Sequence, residues 1–216
     1  MAGTNLERFS RDEVEFLKQG AIFDWKEQIT RKIKSVLERL HDELVRRITA
    51  QDFFAPEGMD FTKWQVVRGE RFDNRPYAYL DYPQFFTREA KFTYRTMFWW
   101  GSGFVFAWIL EGKALARYRE RLVATYETLA DRGMVISLAE TPWDWNPSSP
   151  HNLLLRLDNR QAVIQALATR TFLKLQSFME FDELTREEDI VIQRAIETFR
   201  ILRPVVGRDE LTRNGS

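Results

Sequence analysis

Arginine and aromatic side chains alternate through residues 64–100, and together they have the chemistry of ligand recognition. The arginines are Arg68, Arg71, Arg75, Arg88 and Arg95. The aromatic residues between them are Trp64, Phe72, Tyr77, Tyr79, Tyr82, Tyr94, Trp99 and Trp100. A guanidinium group presents a planar fork of donors to a carboxylate or phosphate, and an aromatic face stacks on bases, sugars or cations. This composition predicts a site for a small polar or anionic ligand.

Arg95 is the one charged residue in an otherwise apolar segment that has the character of a strand. A buried guanidinium needs a carboxylate partner, and Asp81 and Glu70 are the nearest candidates along the chain. Two interpretations are open: an ion pair that stabilises the fold, or an anchor for a ligand. The ion pair is the favoured one.

The segment Trp143-Asp144-Trp145 lies in a loop rich in proline and serine, residues 141–152. The two rings could form a lid or a recognition surface, or they could close the end of the core. Asp144 could also form a carboxylate pair with Asp81 or Glu140 for acid–base chemistry. The residues predicted to bind a ligand are Arg95, Arg71, Arg75, Tyr79, Tyr94, Trp99, Asp81, Trp143 and Trp145.

Residues that commonly carry catalysis are sparse. His41 lies in a charged helical segment, and His151 follows Ser148 and Ser149 in the loop that also holds Asp144. A catalytic triad needs a base in contact with the nucleophile and an acid behind the base. This loop contains the three residue types but no nucleophile-elbow sequence, so the polar loop is the favoured interpretation and no catalytic residue is predicted.

The sequence predicts neither a metal site nor a cofactor. It has no cysteine, and its histidines do not have ligand spacing. The acidic residues 187–189 lie at a predicted helix N-terminus, where they complement the helix dipole. Gly101-Ser102-Gly103 is too short for a phosphate-binding loop and is typical of a hairpin turn.

Composition limits the class of protein. The 32 basic and 32 acidic residues give a formal net charge of zero, which argues against a nucleic-acid partner. Residues 1–11 lack the apolar core of a signal peptide, and residues 96–110 are too short to cross a membrane. We therefore expect a soluble cytoplasmic protein without disulfides. No change in composition marks a boundary, so a single domain over residues 1–216 is expected, with residues 1–10 and 208–216 frayed.

Helical signals open the chain. Ser10 and Glu13 have the spacing of a capping box that starts a short helix ending near Gly20. A long amphipathic helix follows, and its apolar stripe is Ile22, Trp25, Ile29, Ile33, Val36, Leu37, Leu40, Leu44 and Ile48. A mid-chain helix is predicted over residues 113–131.

Strand signals occupy the middle. Residues 62–67 and 76–80 form short strands around an Asp73-Asn74 turn, and residues 134–139 and 153–157 add two more. The clearest feature is a hairpin over residues 91–110 with Ser102 at its tip, which pairs Phe98 with Phe106 and Arg95 with Ile109.

Helical spacing in the last third predicts an αα-hairpin, with Val163, Leu167, Phe172, Leu175 and Phe178 on its first stripe. The predicted fold is α+β. A mostly antiparallel sheet of five or six strands is flanked by the long N-terminal helix, the mid-chain helix and this C-terminal helical hairpin.

Residues 79–83, Tyr-Leu-Asp-Tyr-Pro, and residues 94–101, Tyr-Arg-Thr-Met-Phe-Trp-Trp-Gly, resemble a signature of uncharacterised bacterial proteins. The resemblance covers about 35 residues. It implies a bacterial cytoplasmic protein and brings no activity or cofactor.

Three functions are left open by the residues. The first is a non-catalytic binding protein with an Arg- and aromatic-lined pocket. The second is a protein–protein or homodimer module, and the third is a carboxylate-dependent hydrolase or transferase. Binding ranks first, because no catalytic signature is present.

Overall fold

A computed structural model of the protein describes residues 8–208, which form an antiparallel sheet with helices on one face. The strands are β1 (Gln65–Phe72), β2 (Arg75–Phe86), β3 (Lys91–Trp99), β4 (Gly103–Glu111), β5 (Val135–Ser137), β6 (Asn152–Leu154) and β7 (Phe172–Met179). The helices are α1 (Arg11–Leu17), α2 (Ala21–Val45), α3 (Leu115–Ala124), α4 (Tyr126–Leu129), α5 (Arg160–Leu167) and α6 (Ile190–Val206).

The α+β class and the mostly antiparallel sheet are confirmed, but the sheet has seven strands instead of five or six. Their order is β1-β2-β3-β4-β7-β5-β6, and all the pairs of neighbouring strands are antiparallel. No helix in the described part of the chain is long and apolar enough to cross a membrane.

The predicted C-terminal αα-hairpin is wrong, because residues 172–179 form the strand β7. This strand pairs with β4 along its whole length, from Phe104 opposite Met179 to Glu111 opposite Phe172. Its side chains are buried or half-buried on both faces of the sheet. No side of the strand faces solvent, so the polar residues do not mark an exposed face with the two-residue period of a strand. Phe172, Leu175 and Phe178 are spaced by three residues and imitate a helical stripe, although Leu175 lies on the face opposite the other two.

The two faces of the sheet are covered differently. The helices α2, α3 and α6 cover one face and enclose a large core that includes Trp108, Tyr118 and Phe199. The other face carries a smaller cluster of Met97, Trp99, Val105, Ala107, Ile109 and Trp145. The last of these residues belongs to the loop between β5 and β6, which lies over this helix-free face.

The β3–β4 hairpin is confirmed, but its register differs by two residues from the predicted one. Trp99 pairs with Gly103 and Phe98 with Phe104, so Gly101 stands at the tip. Gly101 and Gly103 have positive φ angles, and a side chain on Gly103 would collide with the carbonyl oxygen of Met179. A shift of two residues leaves every side chain on its predicted face.

The local signals at the chain's first helix and first turn are confirmed. Ser10 Oγ accepts from the Glu13 backbone N–H, and the Glu13 carboxylate accepts from the Ser10 N–H. Asp73 and Asn74 both adopt positive φ angles in the tight turn between β1 and β2. Fraying was expected for residues 1–10 and 208–216, most of which lie outside the described residues. Two of them that are described, Ser10 and Arg208, make hydrogen bonds.

Candidate functional site

Arg95 and Asp81 form a buried ion pair on the helix-free face. The register of β2 and β3 places the two residues directly opposite each other. Arg95 Nε donates to Asp81 Oδ1 at 2.7 Å, and Arg95 Nη2 donates to Asp81 Oδ2 at 2.7 Å. Asp81 is 0% exposed and Arg95 6% exposed. Gln65 adds a third bond to the carboxylate at 2.9 Å. The predicted ion pair of Arg95 is confirmed, and of its two candidate partners Asp81 forms it, whereas Glu70 pairs with Lys26.

Aromatic rings surround the Arg95 guanidinium. Its central carbon lies 3.7 Å from the centre of the Tyr79 ring, 5.3 Å from that of Trp145 and 5.4 Å from that of Trp143. Burial raises the pKa of Tyr79. We call Tyr79, Asp81, Arg95, Trp143 and Trp145 the Arg95 cluster. Tyr79, Asp81 and Arg95 belong to the sheet, whereas Trp143 and Trp145 belong to the β5–β6 loop. The contacts of the two tryptophan rings with the buried, paired guanidinium therefore hold the loop against the sheet.

Lys174 is a second buried cation beside this cluster. It projects from β7, is 0% exposed, and donates from Nζ to the Asp144 backbone oxygen at 2.5 Å. The same nitrogen lies 3.5 Å from the centre of the Trp145 ring. Burial, with a smaller contribution from the Arg95 charge, lowers the pKa of Lys174 to about 7, and the Asp144 carboxylate opposes the shift. Sequence reasoning missed this residue because it placed residues 172–178 in a helix.

The polar residues of the β5–β6 loop bind one another. Ser149 Oγ donates to Asp144 Oδ2 at 2.5 Å, and the Asn146 N–H donates to Asp144 Oδ1 at 3.1 Å. His151 contributes its backbone N–H to Ser149 Oγ at 3.3 Å. These bonds fold the loop, which supports the polar-loop interpretation. The Asp81 and Asp144 carboxylates both accept hydrogen bonds that hold the structure together.

The nine predicted site residues do not form one site. Five of them make up the Arg95 cluster. Trp99 lies on the same face, where its Nε1–H donates to the Phe72 oxygen and the Arg75 guanidinium carbon is 6.0 Å from its ring centre. Arg71 and Arg75 are exposed at the end of the β1–β2 hairpin.

Tyr94 has to be removed from the predicted site, because it lies on the opposite, helix-covered face. It is 1% exposed and donates its hydroxyl to the Ala195 oxygen of α6 at 2.6 Å. Burial raises its pKa well above the ordinary value. Successive residues of a strand point to opposite faces, so Tyr94 and Arg95 cannot face one ligand.

Tyr94→Phe is expected to lower the free energy of unfolding by about 1 kcal/mol, since it removes one buried hydrogen bond and leaves the Ala195 carbonyl without that donor. Urea unfolding monitored by circular dichroism measures this change. An unchanged midpoint would show that the hydroxyl contributes nothing to stability.

A concavity lies elsewhere, between α2 and the β1–β3 end of the sheet. We call it the α2–β1 groove, and its volume is about 800 Å³. Its lining residues are Thr30, Ile33, Lys34, Glu38, Trp64, Gln65, Val66, Arg68, Gly69, Glu70, Pro76, Tyr77, Ala78, Phe98 and Trp100. Trp64, Arg68 and Trp100 belong to the Arg–aromatic set of the sequence, but only the packing of α2 makes them walls of a groove.

Charges in the groove are unevenly paired. Lys34 Nζ lies 3.4 Å from Glu38 Oε1, and Lys26 Nζ lies 2.6 Å from Glu70 Oε2. Within residues 8–208, Arg68 has no ion-pair partner. Trp64 is stacked on His41, with ring centroids 3.9 Å apart, and Trp100 packs edge-on against Phe98. The groove therefore combines fixed aromatic walls with one cation, Arg68, that no acidic side chain in the described part of the chain neutralises.

Groups of His, Asp and Glu that could hold a metal ion are absent from the described residues. The bacterial origin and cytoplasmic location implied by the sequence stay predictions. Comparisons of the chain with protein-family models, with curated proteins and with solved structures found no match.

Proposed function

We propose that the protein binds a small anionic ligand in the α2–β1 groove. A volume of about 800 Å³ suits a small molecule, because ligand sites commonly span roughly 300–1,000 Å³. The lining is also suitable, since apolar and aromatic side chains supply contact area and a few charged groups supply orientation.

The observation that carries the proposal is Arg68 in the wall of this groove, which has no ion-pair partner among the residues that the structure describes. Glu38 and Glu70, the acidic residues of the lining, are each in an ion pair with a lysine. Arg68 thus keeps its positive charge and its fork of donors available to a carboxylate or phosphate. Arg95 offers no comparable group, because Asp81 already occupies its fork.

Trp64 and Trp100 favour a ligand with a planar or apolar part next to its anionic group. Trp64 is kept in place by stacking on His41, and Trp100 by its contact with Phe98. Rings that are already positioned lose little conformational freedom when a ligand packs on them. The ligand class is therefore an anion attached to a ring or a short apolar chain.

The expected result is that Arg68→Gln weakens binding about 10- to 100-fold, since a charge-assisted hydrogen bond contributes roughly 1.5–3 kcal/mol. The ligand is first sought by native mass spectrometry of protein purified gently from its source. Isothermal titration with citrate, inorganic phosphate and adenosine monophosphate then measures affinity. Arg88→Gln is the matched control, because Arg88 is also an exposed arginine and lies outside the groove.

Two results would contradict the proposal. One is a chain that carries no additional mass and binds none of the three probes. The other is equal weakening by Arg68→Gln and Arg88→Gln, which would assign the effect to overall charge.

A further inference from the structure

The N-terminal helices carry a large unburied apolar surface. No residue of α1 is buried. Phe16 and Leu17 of α1 are 55% and 67% exposed, and Phe23 and Trp25 of α2 are 67% and 61% exposed. Isolated exposed apolar residues are ordinary, but a contiguous group marks an interaction surface. We call residues 11–25 the N-terminal overhang.

The overhang continues a stripe that the sheet covers only in part. The predicted stripe of α2 begins at Ile22, yet the buried residues of the helix begin at Ile33. Ile22 and Trp25 lie on the same side as Ile33, because steps of three and four residues return to one helical face. Residues 21–25, the first turns of α2, are all exposed, so the apolar stripe remains without cover there within residues 8–208.

Charge along these helices is arranged in two blocks. Residues 11–27 contain five acidic and three basic residues. Residues 31–34 contain Arg31, Lys32 and Lys34, and no acidic residue intervenes between Glu27 and Glu38. An antiparallel pair of identical helices places the acidic block of each copy beside the basic block of the other.

We propose that a second copy of this chain covers the overhang, with the two α2 helices packed antiparallel about a two-fold axis near Gln28. In this arrangement Trp25 of each copy packs near Ile29 of the other. Asp24 of each copy lies beside Arg31 and Lys32 of the other. The interface is isologous, so every favourable contact occurs twice.

The apolar surface available is large enough for such an interface. Fully burying an aromatic side chain removes about 150–250 Å² from solvent. Phe16 and Trp25 from two copies, together with Leu17 and Ile22, bring the buried total to the order of 1,000 Å², which is about the lower size of a specific interface. The acidic residues in the overhang argue against an anionic lipid surface as the occupant.

Sedimentation equilibrium of the full chain is the test, and the wild type is expected at twice the chain mass. Ile22→Glu/Trp25→Glu is expected as a monomer, because it places charges in the centre of the interface. Both residues are exposed, so circular dichroism should report an unchanged fold. Leu157→Glu, at another exposed apolar residue far from the overhang in sequence, is the matched control and should remain a dimer.

A charge exchange tests the partner's identity. Asp24→Lys or Lys32→Glu alone should weaken the dimer at low salt, and the two together should restore it, since the pairing is only reversed.

The proposal is independent of the ligand, and Arg68→Gln must still dimerise. A wild type that stays monomeric at all concentrations overturns it, whether or not the chain binds lipid vesicles. A dimer that Ile22→Glu/Trp25→Glu leaves intact also overturns it.

Discussion

Replacing Arg95 by alanine should destabilise the protein by about 3–5 kcal/mol, the usual result of removing one member of a buried ion pair. Asp81 is 0% exposed, so the substitution leaves a carboxylate in the interior without its two guanidinium bonds. The rings of Tyr79, Trp143 and Trp145 also lose the group they surround. Urea unfolding, followed by tryptophan fluorescence, measures the loss.

The double substitution Asp81→Leu/Arg95→Met separates charge from packing. It removes both charges and keeps side chains of similar volume, and such replacements are often neutral or stabilising. We expect most of the stability lost in Arg95→Ala to return. A single variant as stable as the wild type would show that the pair contributes little, and an equally unstable double variant would show that the cluster depends on the ions themselves.

Lys174 should make the stability rise by about 2 kcal/mol between pH 7 and pH 9. Burial lowers its folded-state pKa to about 7, whereas its ordinary value is 10.5. In this window the unfolded chain holds the proton and the folded chain releases it. The folded state therefore binds fewer protons, and the free energy of unfolding increases with pH. Below pH 7 both states are protonated, and the contribution of Lys174 stays constant.

Lys174→Met is the control, because it fills similar space without a titrating group. The difference between wild type and variant should shrink by about 2 kcal/mol from pH 7 to pH 9 in urea unfolding. The buried residues Tyr94 and Tyr118 have raised pKa values and act in the opposite sense, but only above about pH 10. A constant difference across the window would show that Lys174 titrates normally in the folded protein.

Local signals and strand alternation were sufficient for several parts of the structure. Ser10 and Glu13 form their capping box from residues three apart, and Asp73 and Asn74 adopt the positive φ angles that a tight turn needs. Neither depends on the rest of the chain. A carboxylate partner for Arg95 was also predictable, because a lone buried charge needs an opposite charge, and Asp81 was one of the two candidates near in sequence.

The sites required the tertiary structure. Lys174 lies in a strand whose two faces are both covered, so its sequence does not distinguish a strand from a helix. The predicted alternation along β3 already separates Tyr94 from Arg95, but only the helices packed on one face showed that the Arg–aromatic set, which is continuous along the chain, is divided between two environments.

By itself, the sequence determined the α+β class, the first helix cap, the β1–β2 turn, the faces of the β3–β4 hairpin and the need of Arg95 for a carboxylate partner. These depend on neighbouring residues, on a two-residue period or on the need to neutralise a buried charge. Only the tertiary structure decided that β7 joins the sheet, that α2 and β1 enclose a groove with Arg68 in its wall, and that the overhang is uncovered. Those features arise where segments distant in sequence meet, or fail to meet, and no local sequence pattern encodes such contacts.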